Sequence, residues 1–288
     1  MHTIKNSILL LLAVVISITA AAKKNSTTDI RWCTFNIRYF TERDIPKGVG
    51  WDVRKDLACQ WVRDNNIDVV GMQEVTHRQL VDILERLPEY DYVGVGRADG
   101  KQGGEYTPVF FRKDKYKALA RGNFWLSETP DVPGSKGWDA DQERVASWVK
   151  LKDTKTGKVF MAVNTHFDHI GKTARVESAR LIMRMIQKIV GKKPAIVTGD
   201  FNVTEESPAY ATMVGSPFVM RDAYKMSPHH EGVRYTYHGF SQIAPDKASK
   251  IDFIFVTPQV RVLGTGIAKD NPDAIMSDHN PHWADLQF

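Results

Sequence analysis

Side chains that can ligate a hard cation or move a proton recur at one kind of position in this sequence, at the ends of short hydrophobic runs. Asn36 closes "WCTFN", Glu74 closes "IDVVGMQE", and His166 and Asp168 follow "VFMAVNT". Asp200 and Asn202 follow "AIVTG", Asp252 sits in "SKIDFIFV", and "SDHNPH" supplies Asp278 and His279. A carboxylate such as Glu74 suits Mg²⁺ or Mn²⁺, which prefer oxygen ligands and retain water. A His beside carboxylates can act on protons. Each piece also has an ordinary reading. Asp-x-Asn after a strand makes a turn or helix cap, Asn36 caps a loop, and His279 is a surface or core histidine. The ordered set is what demands one explanation.

These residues need elements to carry them. Strand-like runs lie at Arg31–Ile37, Asp68–Gln73, Tyr90–Gly94, Thr107–Arg112, Ala146–Lys152, Lys158–Thr165, Pro194–Gly199, Ile251–Val256 and Arg261–Ile267. Helical periodicity places Leu57, Trp61 and Val62 on one face, then Leu80, Ile83, Leu84 and Leu87, then apolar residues from Val176 to Val190. Several strands follow one another in mid-chain, so the order is no simple βα alternation. The pattern predicts an α/β four-layer sandwich, two packed mixed β-sheets flanked by helices. Strand ends on one edge of such a sandwich converge, so the polar residues can share one cleft.

The motifs "FN" at Asn36, "DVVGMQEV" at Glu74, "NTHFDH" at His166, "VTGDFN" at Asp200, "KIDFIFV" at Asp252 and "SDHNP" at His279 resemble the endonuclease/exonuclease/phosphatase (DNase I-like) superfamily. The resemblance runs in order over nearly all of residues 23–288. It is similar to secreted bacterial members, and around "GDFN" to the deadenylase/nocturnin branch. The resemblance implies Glu74 as main Mg²⁺ ligand, helped by Asn36, with Asp278 as a metal-site carboxylate. It implies His279 as a base toward the attacking water or a stabiliser of the transition state, with Asp252 orienting its imidazole. Asp200 would position or deprotonate the water, Asn202 would bond a phosphoryl oxygen, and His166 would contact phosphate. Glu105 is expected to pair with His166, Tyr106 to face the phosphate, and Arg144 to contact it. Abasic-site endonucleases carry an acid where this chain has Arg38, which counts against a repair role. Arg38 is either a terminal-phosphate ligand or an exposed strand-end residue.

The physical requirements agree with that set. Phosphoester hydrolysis needs charge neutralised on non-bridging oxygens, an aligned water and a stabilised leaving oxygen. The expected activity is a secreted Mg²⁺- or Mn²⁺-dependent phosphodiesterase or phosphatase on a small or flexible substrate, such as a nucleotide, sugar phosphodiester or lipid headgroup. The alternative is a secreted nuclease on DNA or RNA. A non-catalytic binding module ranks below these, since every expected catalytic position is filled, and so does a sphingomyelinase-like lipid phosphodiesterase, since the sequence shows no long hydrophobic hairpin for a membrane surface. Trp125, Trp138 and Trp148, beside Arg144, either wall the substrate site or, for Trp148 above all, belong to the core.

Composition sets the remaining bounds. The 288 residues carry 42% hydrophobic and 25% charged residues, enough for a sizeable core. A net charge of +5 suits an anionic substrate without demanding nucleic acid. Lys5, an apolar run from Ile8 to Ile18 and Thr19–Ala22 read as a signal peptide over residues 1–22, with an uncleaved anchor as the alternative. Residues 23–288 then form a single secreted or periplasmic domain, monomeric and without a stable protein partner or transmembrane segment. Cys33 and Cys59 either pair or remain two separately buried thiols.

Overall fold

A computed structural model describes residues 27–215, 217 and 220–288. The expected leader, residues 1–22, lies outside the described residues. The chain opens with β1 (Asp29–Asn36), α1 (Trp51–Asp64), β2 (Val69–Gln73), α2 (His77–Arg86), β3 (Tyr90–Val93) and β4 (Val109–Arg112). There follow β5 (Tyr116–Trp125), β6 (Val145–Asp153), β7 (Val159–His166), α3 (Lys172–Val190), β8 (Ala195–Asp200) and α4 (Pro208–Val214). The chain closes with β9 (Arg221–Asp222), α5 (Ala223–Met226), β10 (His230–Gly232), β11 (Asp252–Val256), β12 (Arg261–Ile267) and β13 (His282–Gln287).

Among the described residues these strands make two mixed sheets. One runs β10-β12-β13-β1-β2-β4-β3, the other β5-β6-β7-β8-β11-β9. Side-chain alternation explains why they stack. On β1, Ile30 and Trp32 meet Ile196 of β8 and Ile254 of β11 in the core between the sheets. The intervening Cys33 and Phe35 face α1 and α2 with Val62, Leu80 and Ile83. On β8, Ala195 and Val197 face the other way, toward Ile182 and Ile186 of α3. The result is the four-layer sandwich expected from the sequence.

Four strands are not legible as such, β5, β13 and the short β9 and β10. In β5, "YKALARGNFW", polar residues alternate outward on a sheet edge, and Lys, Ala, Leu and Arg carry little strand propensity. The six-residue β13 is held between β1 and β12 and buries only part of its length. The expected inner face of α1 is corrected as well. Leu57 is 38% exposed, whereas Trp51, Arg54, Ala58 and Val62 form the buried stripe. An arginine in a core position disguised the true periodicity. Cys33 and Cys59 are both buried and free, the second of the two alternatives. Among the described residues no helix is long and apolar enough to cross a membrane.

One polar network interrupts the core between the sheets. Asn164 of β7 donates through Nδ2 to the carbonyls of Met72 (2.6 Å) and Pro108 (2.9 Å) in the opposite sheet. Its Oδ1 accepts from Gln73 Nε2 (2.6 Å) and Thr198 Oγ1 (3.2 Å). The amide thereby has four partners, with the one Thr198 proton shared between Asn164 Oδ1 and the Val163 carbonyl (3.2 Å). Gly71 leaves the room, because a Cβ there would collide with the Thr198 hydroxyl and the Asn164 amide. Gly71→Ala should therefore lower folding stability by about 3 kcal/mol, read as a fall in the urea midpoint. A midpoint equal to wild type would refute this account of the sheet interface.

Candidate active site

Strand alternation delivers the polar residues. The inner-face positions of β1 run Ile30, Trp32, Thr34 and end at Asn36. Those of β7 run Phe160, Ala162, Asn164 and end at His166, and those of β8 run Ile196, Thr198 and end at Asp200. β11 is antiparallel to β8, so its first residue, Asp252, is paired directly with Asp200. His166 lies in register with Asp200 on the other side. Each strand thus changes from aliphatic to functional side chains at the same edge without changing face. Glu74, Arg38 and Asn202 follow strand ends with left-handed backbone, φ of 62°, 57° and 51°. Non-glycine residues seldom adopt that conformation, and it concentrates at functional sites.

His279 and the carboxylates around it form the chemical centre. Nδ1 of His279 lies 2.8 Å from Asp252 Oδ2 and, against an ionised acceptor, carries the donated proton. Nε2 faces Asp200 Oδ2 at 3.7 Å. Burial opposes charge on this imidazole, but Asp252, through its charge and its hydrogen bond, then Asp200 and Asp278, raise its pKa to about 10. Burial pushes Asp200 up to about 7, helped by the Asp252 charge and opposed by His279. Asn202 N donates to Asp200 Oδ1 (2.9 Å) and Asn36 Nδ2 to Asp200 Oδ2 (3.0 Å).

His166 behaves differently. Asn202 Nδ2 lies 3.0 Å from its Nε2, so that nitrogen accepts and the proton sits on Nδ1. Burial, then the Arg144 and Arg97 charges, hold this histidine well below its ordinary pKa. Its 3.7 Å approach to Asp200 is accordingly no ion pair. Among the described residues Nδ1 of His166 has no hydrogen-bond partner.

Further oxygen ligands gather beside Asp200. Asn36 Nδ2 also donates to Glu74 Oε1 (3.0 Å), and the Tyr39 amide donates to Glu74 Oε2 (3.0 Å). Asp278 lies on the same cleft, and burial, with a lesser push from the Glu74 charge, raises its carboxyl pKa. Two carboxylates on one cleft make a hard donor set for a divalent cation, and the Asn36 Oδ1, which accepts once from the Arg38 amide, has a second lone pair to add. Glu74, His166 and Asp200 lie close enough to share an ion, and so, in a second set, do Asp200, Asp252 and His279. There the hydrogen bond to Asp252 and the imidazolium charge occupy the donors. The donor chemistry therefore fits Mg²⁺ or Mn²⁺ at Glu74, Asn36 and Asp278.

The cleft holds about 510 Å³ and is lined by most of the residues expected from the sequence. Arg144 lines it while only 5% exposed. Its Nε is 3.4 Å from Asp168 Oδ2, its Nη2 is 3.2 Å from His169 Nδ1, and its Nη1 has no partner among the described residues. Arg38 also lines the cleft, with Nε on Asp44 Oδ2 (3.0 Å) and its guanidinium over the Tyr39 ring. Two expectations are corrected, and the tryptophans take the second of their two alternatives. Glu105 pairs with Arg97 in a bidentate bridge (2.8 and 3.1 Å), not with His166. Tyr106 is buried in the core beneath α2 and donates its hydroxyl to the Lys101 carbonyl, so it does not face the cleft. Trp125, Trp138 and Trp148 do not line it either. Trp125 donates to the Arg97 carbonyl (2.6 Å), and the other two pack on the core beside α3. The aromatic walls are Tyr39 and Tyr237, the latter with its ring 5.0 Å from that of His279. Tyr39 sits three residues beyond Asn36, which was a usable signal. Tyr237 in "YTYHGF" and Arg97 gave none without the fold.

Residues 33–279 match the family described as "Endonuclease/Exonuclease/phosphatase family". An endonuclease/exonuclease/phosphatase structure from Bacteroides vulgatus is 55% identical with a TM-score of 0.88, covering 90% of this chain and 98% of that one. A mannosyl-6-phosphatase from Bacteroides thetaiotaomicron is 38% identical with a TM-score of 0.83, covering 90% and 100%. Nocturnin of Drosophila melanogaster is 24% identical over 57% of this chain and 26% of its own length. The first curated relatives are matched over 65%, 26% and 25% of their lengths.

The hydrogen bond and charge of Asp252 are the main forces raising His279. In the metal-free protein, Asp252→Asn should bring the His279 titration down from about 10 toward the ordinary histidine range, followed by ¹⁵N imidazole NMR. An unchanged titration would mean that Asp252 does not govern the ring.

Proposed function

This chain belongs to the endonuclease/exonuclease/phosphatase family, and on that premise we propose that it is an exported, divalent-metal-dependent phosphomonoesterase acting on a small phosphorylated sugar. One observation carries the choice of a monoester. The buried guanidinium of Arg144, whose Nη1 has no partner among the described residues, lines the cleft that also holds His279, Asp200 and Asn202. A phosphomonoester dianion offers three non-bridging oxygens where a diester offers two, so a further fixed cation favours the monoester. The bounded cleft, with Tyr39 and Tyr237 as walls and Glu105, Asp141 and Gln142 as polar groups, suits a small polyhydroxyl leaving group. The likeness to a mannosyl-6-phosphatase supports the same class.

When bound by Glu74, Asn36 and Asp278, Mg²⁺ or Mn²⁺ would neutralise charge on the phosphoryl group. The protein's own groups divide the remaining work. Asp200, with a pKa of about 7, is partly ionised at neutral pH and accepts the proton of the attacking water. His279 stays an imidazolium at that pH, so it stabilises developing negative charge rather than acting as the base. Asp252 holds that ring by Nδ1 and leaves Nε2 to face the substrate. Asn202 and the neutral His166 orient one another, and Arg144 closes on the remaining phosphoryl oxygen.

Purified protein with Mg²⁺ or Mn²⁺ should hydrolyse hexose 6-phosphates and p-nitrophenyl phosphate faster than bis-p-nitrophenyl phosphate or DNA. EDTA should abolish turnover, and His279→Ala should lower kcat by about 10³-fold. Arg144→Ala should cut monoester more than diester turnover. Faster diester or polynucleotide cleavage would favour the nuclease alternative. Export rests on Lys5, the apolar run and Thr19–Ala22. N-terminal sequencing of the mature protein is expected to begin near Lys23, and an intact Met1 would refute cleavage.

A further inference from the structure

Arg54 lies on the inward face of α1 with 1% of its surface exposed. Buried arginines ordinarily meet a carboxylate. Among the described residues this one donates only to main-chain carbonyls. Nε reaches Val49 O (2.7 Å), Nη1 reaches Ile37 O (2.6 Å) and Met276 O (2.9 Å), and Nη2 reaches Arg38 O (3.3 Å). Burial pulls its pKa down to about 10, so it stays charged at neutral pH.

Two of those carbonyls belong to peptide units whose other ends hold the candidate cation site. The Ile37 carbonyl shares its peptide with the Arg38 N–H, which donates to Asn36 Oδ1 (3.0 Å). The Arg38 carbonyl shares its peptide with the Tyr39 N–H, which donates to Glu74 Oε2 (3.0 Å). C=O and N–H point in opposite directions across a planar trans peptide. A guanidinium on the carbonyl side therefore fixes the plane and polarises the N–H toward its acceptor. Gln79 Nε2 adds a second donor to the Arg38 carbonyl (2.8 Å), where the backbone is left-handed. The third carbonyl, Met276, stands two residues before Asp278. Between them the Ser277 hydroxyl donates to the Asn36 carbonyl (2.7 Å).

We infer that Arg54 is a positioning residue for the cation site. It grips from behind the two peptide units that aim Asn36 and Glu74 and the segment that delivers Asp278, so the oxygen ligands are set before a cation arrives. The inference rests on the reading of those three residues as cation ligands. A lysine keeps the charge but offers one compact ammonium, which cannot span four carbonyls drawn from three segments.

Mn²⁺ binding to the full chain, followed by electron paramagnetic resonance of the free ion, separates the two ideas. Arg54→Lys and Arg54→Met should each bind Mn²⁺ about 10- to 100-fold more weakly than wild type, and Glu74→Gln should lose binding. Undiminished binding in Glu74→Gln would overturn the cation reading itself. Loss in Glu74→Gln with both Arg54 variants within twofold of wild type would overturn the role of Arg54 alone. Full affinity in Arg54→Lys would likewise show that charge, not grip, matters. Should the variants fail to fold, hydrogen exchange in the metal-free wild type decides. The Arg38 and Tyr39 amides should be protected, and exchange at unprotected-loop rates overturns the inference.

Discussion

The side-chain amide of Asn164 fixes the distance between the two sheets at the place where chemistry begins. Its two donors reach main-chain carbonyls of the facing sheet, and its oxygen gathers Gln73 and Thr198. Buried amides are costly unless every bond is made, and directional once it is. Aliphatic contacts deeper in the core tolerate sliding, whereas this network permits one alignment. His166 and Asp200 lie two residues beyond Asn164 and Thr198 on the same strands. Their distances to Asn36 and Asp252 inherit that alignment.

Charge is arranged in the cleft by opposing neighbours rather than by solvent. His279 is protonated because three carboxylates outweigh its burial, and His166 is neutral because two arginines add to it. Two histidines on one carboxylate thereby occupy opposite protonation states at one pH. Asp168 belongs to the same scheme. Burial works against its charge, but the amides of Gly171, Asp141, Gln142 and Ile170 hold it well below the usual carboxylate range, fixed beside Arg144.

Much of this was legible in the residues themselves. Aliphatic alternation ending in Asn, Asp or His marked β1, β7 and β8, and the order of the motifs marked the family. What was hidden had physical causes. β5 carries its polar residues on an outer face at a sheet edge, so its alternation lacks a strong apolar signal. The buried stripe of α1 includes an arginine satisfied by carbonyls, a pattern that reads as surface in one dimension. The family resemblance implies Glu105 beside His166, but Arg97, eight residues earlier, takes its carboxylate. Tyr39 and Tyr237 come together only through tertiary packing, which periodicity does not report.

The antiparallel pairing of Asp252 with Asp200 sets these partners directly opposite although residues 201–251 intervene. Strand register secures the pair, and the Asp252 amide is held further by the Thr236 hydroxyl (3.1 Å). The excursion between them opens with Phe201 and Asn202, and beyond these it carries α4, β9, α5, β10 and Tyr237, a stretch whose loops can change length or sequence while both carboxylates keep their places. The scaffold thus separates what is reacted from how it reacts, and new substrates can be acquired by editing one loop-rich segment with the hydrolytic centre left intact.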